Sequence, residues 1–240
     1  MTRRAKPALP PEQLTIVWQS VSLLLDYPDE QVLACAELVR SAAEVLPPAI
    51  GDSLRDFLAH LESTPLPELQ VDYVETFDNR RRCNLFLTYF AHGDTRKRGM
   101  ALLRFKQAYL RAGFELDPES SRGGELPDHL CVVLEFAATI DRDLGRDLML
   151  DHRAGLELLR LSLRDLGSPW ASLIDAVTAT LPPLRGEERD AVRRLAAEGP
   201  PEEEVGLAPF ANPQFSPGSA TGAAPEPTPL PMPAFRGART

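Results

Sequence analysis

Acidic and imidazole side chains meet in one short motif, Glu125-Leu-Pro-Asp-His129, directly before a strongly apolar run. A catalytic dyad requires a carboxylate and an imidazole within hydrogen-bonding reach of each other. Asp128 and His129 are adjacent, so on a helix their side chains point about 100° apart, and His129 does not face Cys131 either. The motif therefore favours a helix start, with an acid near the positive end of the helix dipole, over a catalytic or metal-binding role.

Basic residues crowd the segment 80–111, in which Asp94 is the only acid although the whole chain has a net charge of −9. The usual explanation is a solvated helix face. Arg96, Lys97 and Arg98, however, fall in the first turn of a helix that we expect Asp94 to cap, and cations there oppose the helix dipole at a cost of about 0.3–1 kcal/mol each. With the free amides of the helix start, these cations would suit an anion, either a partner's carboxylate or the phosphate of a cofactor.

Aromatic side chains recur at a spacing of four residues, which places both members of a pair on one helix face. The pairs are Tyr73 with Phe77, Phe86 with Phe90, and Phe105 with Tyr109. Core packing is the default interpretation of such pairs. Asp78, however, follows Phe77 directly, and a groove that accepts an amphipathic helix needs apolar walls with charged rims. A peptide-binding groove is therefore the second interpretation.

The composition excludes several classes of protein. Hydrophobic residues make up 43% and charged residues 25% of the 240 residues, which is typical of a globular protein, and the negative net charge argues against non-specific binding of nucleic acid. We expect no membrane-inserted segment, because no apolar run reaches about 18 residues, and no signal peptide. Three distant cysteines suit the cytoplasm. We find no common catalytic or nucleotide-binding motif.

Helical periodicity repeats along the chain, and no strand-like alternation appears. The predicted helices cover about 14–25, 32–46, 50–61, 67–78, 84–91, 94–112, 129–140, 143–166, 169–181 and 186–197. We therefore predict an all-α fold, a single globular bundle of about eight to ten helices.

The two ends of the chain differ from this helical region. The predicted domain covers 11–198 and follows a flexible N-terminus, 1–10. Residues 199–240 hold ten of the 23 prolines, and such a segment buries too little apolar surface to offset its ordering entropy. We predict that 199–240 is a disordered tail.

Four phrases of the sequence together resemble the signature of a known family. They are Tyr73-Val-Glu-Thr-Phe-Asp78, Gly93-Asp-Thr-Arg96, Arg98-Gly99 and Glu125-Leu-Pro-Asp-His129. On these residues the chain is similar to the NarJ family of nitrate reductase molybdenum cofactor assembly chaperones, over roughly 14–182. The resemblance implies a TorD/NarJ-like helical fold. It also implies a chaperone, not an enzyme, that binds the N-terminal segment of the apo catalytic subunit of respiratory nitrate reductase, keeps it open for cofactor insertion, and is absent from the mature complex.

The resemblance also implies which residues bind the partner peptide, with acids meeting its basic residues and aromatics its apolar face. They are Tyr73, Glu75, Phe77, Asp78, Asp94, Arg96, Arg98, Glu125, Asp128 and His129. We expect a monomer without a stably bound cofactor, which is compatible with a transient contact with the molybdenum cofactor. Two alternatives remain open: a helical adaptor or chaperone for a different molybdoenzyme or other partner, and a metal or cofactor enzyme.

Overall fold

The computed structural model describes residues 9–116 and 125–201. The parts of the predicted N-terminus and tail that cover 1–8 and 202–240 lie outside the described residues, as do residues 117–124. The α-helices are α1 (Pro11–Leu24), α2 (Glu30–Ala34), α3 (Ala36–Ala43), α4 (Pro48–Ser63), α5 (Leu66–Tyr73), α6 (Tyr89–His92), α7 (Arg96–Arg111), α8 (Leu130–Thr139), α9 (Arg142–Asp151), α10 (Arg153–Asp165), α11 (Ala171–Thr180) and α12 (Gly186–Glu198).

The described part of the chain contains no β-strand, and the all-α fold is confirmed. Its strand-like pairing is one isolated antiparallel bridge between Phe86 and His129. A π-helical turn at Val74–Asp78 continues α5, and a 3₁₀ turn covers Arg81–Cys83. Residues 9–116 and 125–201 contain twelve α-helices, more than the eight to ten predicted, partly because the helix expected over 143–166 is divided into α9 and α10.

Helix α8 is the central element of the fold. Seven of its ten residues are buried, as its apolar sequence requires, and it packs mainly against α1 and α9. Trp18 of α1 and Trp170, next to α11, have no exposed surface. The start of α8 lies inside the bundle, so Asp128 and His129, directly before it, are buried as well.

Local signals explain where several helices begin. Asp29 caps α2 by accepting a hydrogen bond from the Val32 amide at 2.8 Å, and Asp141 caps α9 by accepting one from the Leu144 amide at 2.9 Å. The capping role expected of Asp94 is wrong. Helix α7 instead begins after Thr95, and the Asp94 carboxylate is used elsewhere.

Candidate functional site

Residues 84–86 are extended, residues 87 and 88 form a turn, and this segment lies against the start of α8. The Leu87 amide donates to the Asp128 carbonyl at 3.0 Å, and the Leu130 amide donates to the Leu85 carbonyl at 2.9 Å. A helix over 84–91 was expected, but only its end, α6, is helical. The extended segment satisfies its backbone groups against residues more than 40 positions later, and this pairing brings several of the predicted site residues together.

The Asp128 side chain has no exposed surface. Its Oδ2 atom accepts hydrogen bonds from the Thr88 amide at 3.0 Å and from the Thr88 hydroxyl at 2.6 Å. The Arg98 Nη2 atom lies 3.9 Å from the same oxygen. Among the described residues, Asp128 Oδ1 has no hydrogen-bond partner. A buried carboxylate is costly unless it has partners. The hydrogen bonds from Thr88 and the nearby guanidinium of Arg98 therefore stabilise the Asp128 carboxylate inside the protein.

The Arg98 side chain connects the starts of α7 and α8. Its Nη1 atom donates to Asp94 Oδ1 at 2.8 Å, and its Nε atom donates to the Thr88 hydroxyl at 3.2 Å. Its guanidinium lies over the rings of Phe86 and Tyr89, 5.1 and 5.8 Å from their centroids, within cation–π range. Only 13% of the Arg98 side chain is exposed. We call Thr88, Asp94, Arg98 and Asp128 the Arg98–Asp128 site.

His129 and Glu125 lie beside this site. The His129 Nδ1 atom is 3.2 Å from Glu125 Oε2, an ion pair when the imidazole is protonated. The His129 ring meets the Phe86 ring edge-on with centroids 5.1 Å apart. The structure thus gathers Asp94, Arg98, Glu125, Asp128 and His129 of the predicted site residues into one region.

Tyr73 and Phe77 lie elsewhere, in an aromatic cluster around Trp170. Their ring centroids are 4.7 Å apart, and they lie 5.9 and 5.8 Å from the Trp170 ring respectively. Both are buried, and the Tyr73 hydroxyl donates to the Leu25 carbonyl at 3.3 Å. Burial raises the pKa of Tyr73 well above its ordinary value. These two aromatic residues are therefore core residues that hold the π-helical turn in place.

The acids of the same turn, Glu75 and Asp78, point to solvent. Asp78 shares a cavity of about 420 Å³ with Asp94, so the structure brings together two acids that lie sixteen positions apart. We call this the acid-rimmed cavity. Its lining consists of Asp78, Arg80, Arg81, Asn84, Tyr89, Asp94 and Pro201.

Gly93 marks one edge of the acid-rimmed cavity. Its φ of +57° is a conformation that residues with a side chain rarely adopt, and an added Cβ would lie only 1.9 Å from the Pro201 carbonyl oxygen. Arg81 donates to the Tyr89 hydroxyl at 2.9 Å and to the Pro200 carbonyl at 3.4 Å. Residues Gly199–Pro201 therefore run along the edge of the cavity, a role that the sequence did not reveal.

A second, larger cavity of about 570 Å³ reaches the same edge, because Pro201 lines both. Phe90, Phe105 and Gly155 contribute to its walls, and an added Cβ on Gly155 would come 2.7 Å from the Phe90 ring. Charged side chains stand around it: Arg104, Asp151, Arg194 and Glu198. We call it the apolar groove. It has the apolar walls and charged rim that a bound amphipathic helix needs.

His92 lies in the wall of the apolar groove. Burial lowers the pKa of His92 below its ordinary value, and the nearby side chains of His152, Arg104 and Lys97 lower it further. Both effects favour the neutral imidazole over the charged one in this wall.

Sequence reasoning did not select Thr88, Arg81 or Tyr89 as site residues. A signal for Thr88 existed, because it is a hydroxyl side chain within the otherwise apolar run Leu85-Phe-Leu-Thr-Tyr-Phe90. A buried polar group needs a partner, and Thr88 finds Asp128.

The described residues contain no group of His, Cys, Asp and Glu side chains arranged to hold a metal ion. None of their helices is both long enough and apolar enough to cross a membrane.

Comparisons with known proteins agree with this architecture. A solved structure, described as a putative redox enzyme maturation protein from Archaeoglobus fulgidus, matches with a TM-score of 0.50 at 23% identity, over 75% of this chain and 98% of that one. This likeness supports the fold alone. The nitrate reductase-like protein NarX of Mycobacterium tuberculosis is 39% identical over 165 residues, which are 69% of this chain but only 24% of NarX. The chain thus spans about a quarter of that relative.

Other relatives match over most of their length. A Bacillus subtilis protein named probable nitrate reductase molybdenum cofactor assembly chaperone NarJ is 35% identical over 171 residues, which cover 69% of this chain and 88% of that protein. The model of the nitrate reductase delta subunit family matches residues 43–175. The predicted similarity to the NarJ family is confirmed, since relatives of this chain are named as nitrate reductase molybdenum cofactor assembly chaperones. The chain belongs to the nitrate reductase delta subunit family, the group of NarJ-type assembly chaperones that its four sequence phrases resemble.

Proposed function

We propose that this protein is a dedicated chaperone for the catalytic subunit of a respiratory nitrate reductase. It binds the N-terminal segment of the apo subunit, keeps it competent for molybdenum cofactor insertion, and leaves before the mature enzyme works. It does so as a monomer in the cytoplasm. The relatives support this proposal, because the NarJ protein of Bacillus subtilis is named as an assembly chaperone for this cofactor in nitrate reductase.

The observation that carries the proposal is the junction of two cavities at Pro201. The apolar groove offers aromatic walls, and the acid-rimmed cavity next to it offers the carboxylates of Asp78 and Asp94. An amphipathic helix with basic residues at one end fits such a pair, since its apolar side chains enter the groove while its cations meet the acids. Glu75, exposed on the turn that carries Asp78, extends the acidic edge.

The Arg98–Asp128 site has a positioning role in this proposal. Arg98 holds Asp94 by a hydrogen bond and contacts the Tyr89 ring, and both of these residues line the acid-rimmed cavity. Asp128 is too deeply buried to meet a peptide, so it acts through Arg98 and Thr88. The pair Glu125–His129 supports the Phe86 ring on the other side.

We assign Arg96 to a contact with an anion, and not to a contact with the cations of the peptide. It lies exposed in the first turn of α7, where its charge and the free amides of the helix start favour a phosphate or a carboxylate. A transient contact with the phosphate of the molybdenum cofactor during its insertion would fall here. Tyr73 and Phe77 support the π-helical turn from within the core and need not touch the peptide.

Calorimetry with a synthetic peptide tests the proposal. The peptide copies the first ~20 residues of the catalytic subunit. We expect binding with a negative heat-capacity change, because apolar surface is buried. Ala91→Glu places a charge in the wall of the apolar groove at an exposed position and should weaken binding at least about tenfold. Ala197→Glu, an equally exposed change outside the groove, is the matched control.

The acids are tested with a double variant. Asp78→Asn combined with Asp94→Asn should weaken peptide binding about three- to tenfold and flatten its dependence on salt, since exposed ion pairs contribute little each. Asp190→Asn, on exposed α12, should change neither. No binding of the peptide at tens of micromolar by the folded protein would refute the assignment to nitrate reductase. Binding that is indifferent to Ala91→Glu and to the loss of both acids would refute this site.

A further inference from the structure

The outer face of α7 is strongly cationic. The helix Arg96–Arg111 contains six arginine and lysine residues and no acid, although the whole chain is acidic. Arg98 points inward to its partners, and Arg96 is the exposed residue that the proposed function assigns to an anion. The other four are exposed and make no ion pair with any described residue: Lys97, Arg104, Lys106 and Arg111.

The same face carries three large apolar side chains in contact with solvent. Met100 is 66% exposed, Leu103 46% and Leu110 58%. At about 100° per residue they fall within an arc of about 80°, which also contains the exposed residues Arg96 and Gln107, and the other four cations lie on both sides of this arc. Exposed apolar side chains scattered singly are ordinary, but a stripe bordered on both sides by cations is an interaction surface.

The shape of this face narrows the choice of partner. A partner helix is normally received in a groove, and the outer side of a single helix is convex. The side of a helix that has an apolar stripe between basic borders suits a flat, anionic surface with an apolar layer beneath it. The surface of a membrane that contains acidic lipids has both properties, and it attracts clustered lysine and arginine residues.

We propose that the outer face of α7 binds peripherally to anionic lipid membranes. Met100, Leu103 and Leu110 enter the boundary between headgroups and acyl chains, while Lys97, Lys106 and Arg111 meet the anionic headgroups. Arg104, on the rim of the apolar groove, lies at the border of this face. Arg98 leaves the helix on nearly the opposite side, so the Arg98–Asp128 site stays free. The protein would then present its peptide-binding cavities while it is held at a membrane surface.

Vesicle sedimentation of the full chain tests this proposal. We expect binding to vesicles of phosphatidylcholine with 30% phosphatidylserine that is at least tenfold stronger than to phosphatidylcholine alone, and that weakens with salt. The charge variant Lys97→Ser, Lys106→Ser, Arg111→Ser, which leaves Arg104 on the rim of the apolar groove unchanged, should reduce binding at least tenfold. The apolar variant Met100→Ser, Leu103→Ser, Leu110→Ser should do the same, and all six positions are exposed, so both proteins should fold.

Two control variants carry matched changes elsewhere. Arg55→Ser, Arg189→Ser and Arg193→Ser remove the same charge, and Leu38→Ser, Val45→Ser and Val71→Ser remove the same kind of exposed apolar surface. Both controls should bind vesicles like the original chain.

Three results would overturn the proposal: no binding to the acidic vesicles, equal losses in the α7 variants and their controls, or binding to soluble poly-glutamate without binding to vesicles. The last result would assign the face to an acidic protein. The α7 variants should bind the peptide of the proposed function normally, so that the failure of one proposal leaves the other standing.

Discussion

Replacement of Asp128 by asparagine is the most informative perturbation of the site. Asparagine keeps the shape of the side chain, removes its charge and replaces one carboxylate oxygen by an amide N–H₂ group. The side chain has no exposed surface and accepts two hydrogen bonds from Thr88, so the change acts entirely inside the protein. We therefore expect it to alter the stability of the fold and not a surface contact.

The magnitude follows from the contacts. A hydrogen bond to a charged group contributes about 1.5–3 kcal/mol and a neutral one about 0.5–1.5, so the two bonds from Thr88 together lose about 2 kcal/mol. The new amide N–H₂ replaces Oδ1, which has no hydrogen-bond partner among the described residues, and an unsatisfied buried donor costs about 1–3 kcal/mol. Arg98 also loses a nearby negative charge. We expect the free energy of unfolding to fall by about 3–5 kcal/mol.

Urea unfolding followed by circular dichroism measures this loss. Asp190→Asn, an exposed acid paired with Arg193, should change the free energy of unfolding by less than about 0.5 kcal/mol. A double-mutant cycle of Asp128→Asn with Thr88→Val should show a coupling of about 1 kcal/mol or more, because the two side chains share a hydrogen bond. A loss below about 1 kcal/mol, or additive effects, would refute the reasoning. Peptide affinity of the folded variant should change less than tenfold.

Three further changes test other parts of the structure. Gly93→Ala should lower the free energy of unfolding by about 1–3 kcal/mol, because it combines a positive φ with a clash against Pro201. Phe77→Ala should lower it by about 3–5 kcal/mol, since the buried ring packs on Trp170. Burial raises the pKa of Cys83 to about 11, so the unfolded state loses this proton first and stability should fall as pH rises from about 9 to 11. Urea titrations at each pH measure this change.

Each of these changes has its own control. Gly99→Ala, in α7 with open space around it, should stabilise the protein by up to about 1 kcal/mol, and the Gly93 argument fails if the two alanines behave alike. Val74→Ala changes a partly exposed side chain beside Phe77, and a similar loss for both would place Phe77 outside the core. Cys83→Ala should remove the part of the pH dependence due to that thiol, and an unchanged pH profile would refute its assignment.

The helices could be predicted because each carries its own apolar stripe, and local patterns decide local structure. The segment 84–88 could not, because its aromatic spacing suits a helix equally well. Residues 84–86 are extended and not helical because the backbone pairs with residues around His129, which are far away in sequence. Hydrogen bonds between residues that are distant in the sequence leave no local sequence pattern. The junction of the two cavities could not be predicted for the same reason. It brings together Asp78, Asp94 and Pro201, which lie far apart in the sequence.

The predicted site residues differ in whether their environment depends on local sequence or on partners from other parts of the chain. Asp78 and Asp94 were chosen as charges at helix edges, and exposed charges at edges are where the structure has them. Asp128 was chosen for the same reason, but it is buried because Thr88 and Arg98 approach it from other elements. Whether an acid is a surface charge or an internal one depends on these distant partners. Sequence spacing alone does not contain that information.

Three cations, Arg96, Lys97 and Arg98, lie in the first turn of α7, where positive charge is unfavourable, and they have two different roles. All three oppose the helix dipole, yet only Arg98 is compensated, by Asp94 and Asp128. Its cost is offset by a buried network that fixes the extended segment against α8. Arg96 and Lys97 remain exposed, with no compensating ion pair among the described residues, so the fold gains nothing from their charge. Charges that weaken a helix without stabilising the fold are best explained by an external anion. The inner side of α7 therefore builds the peptide site, while its outer side is available to a second, anionic partner.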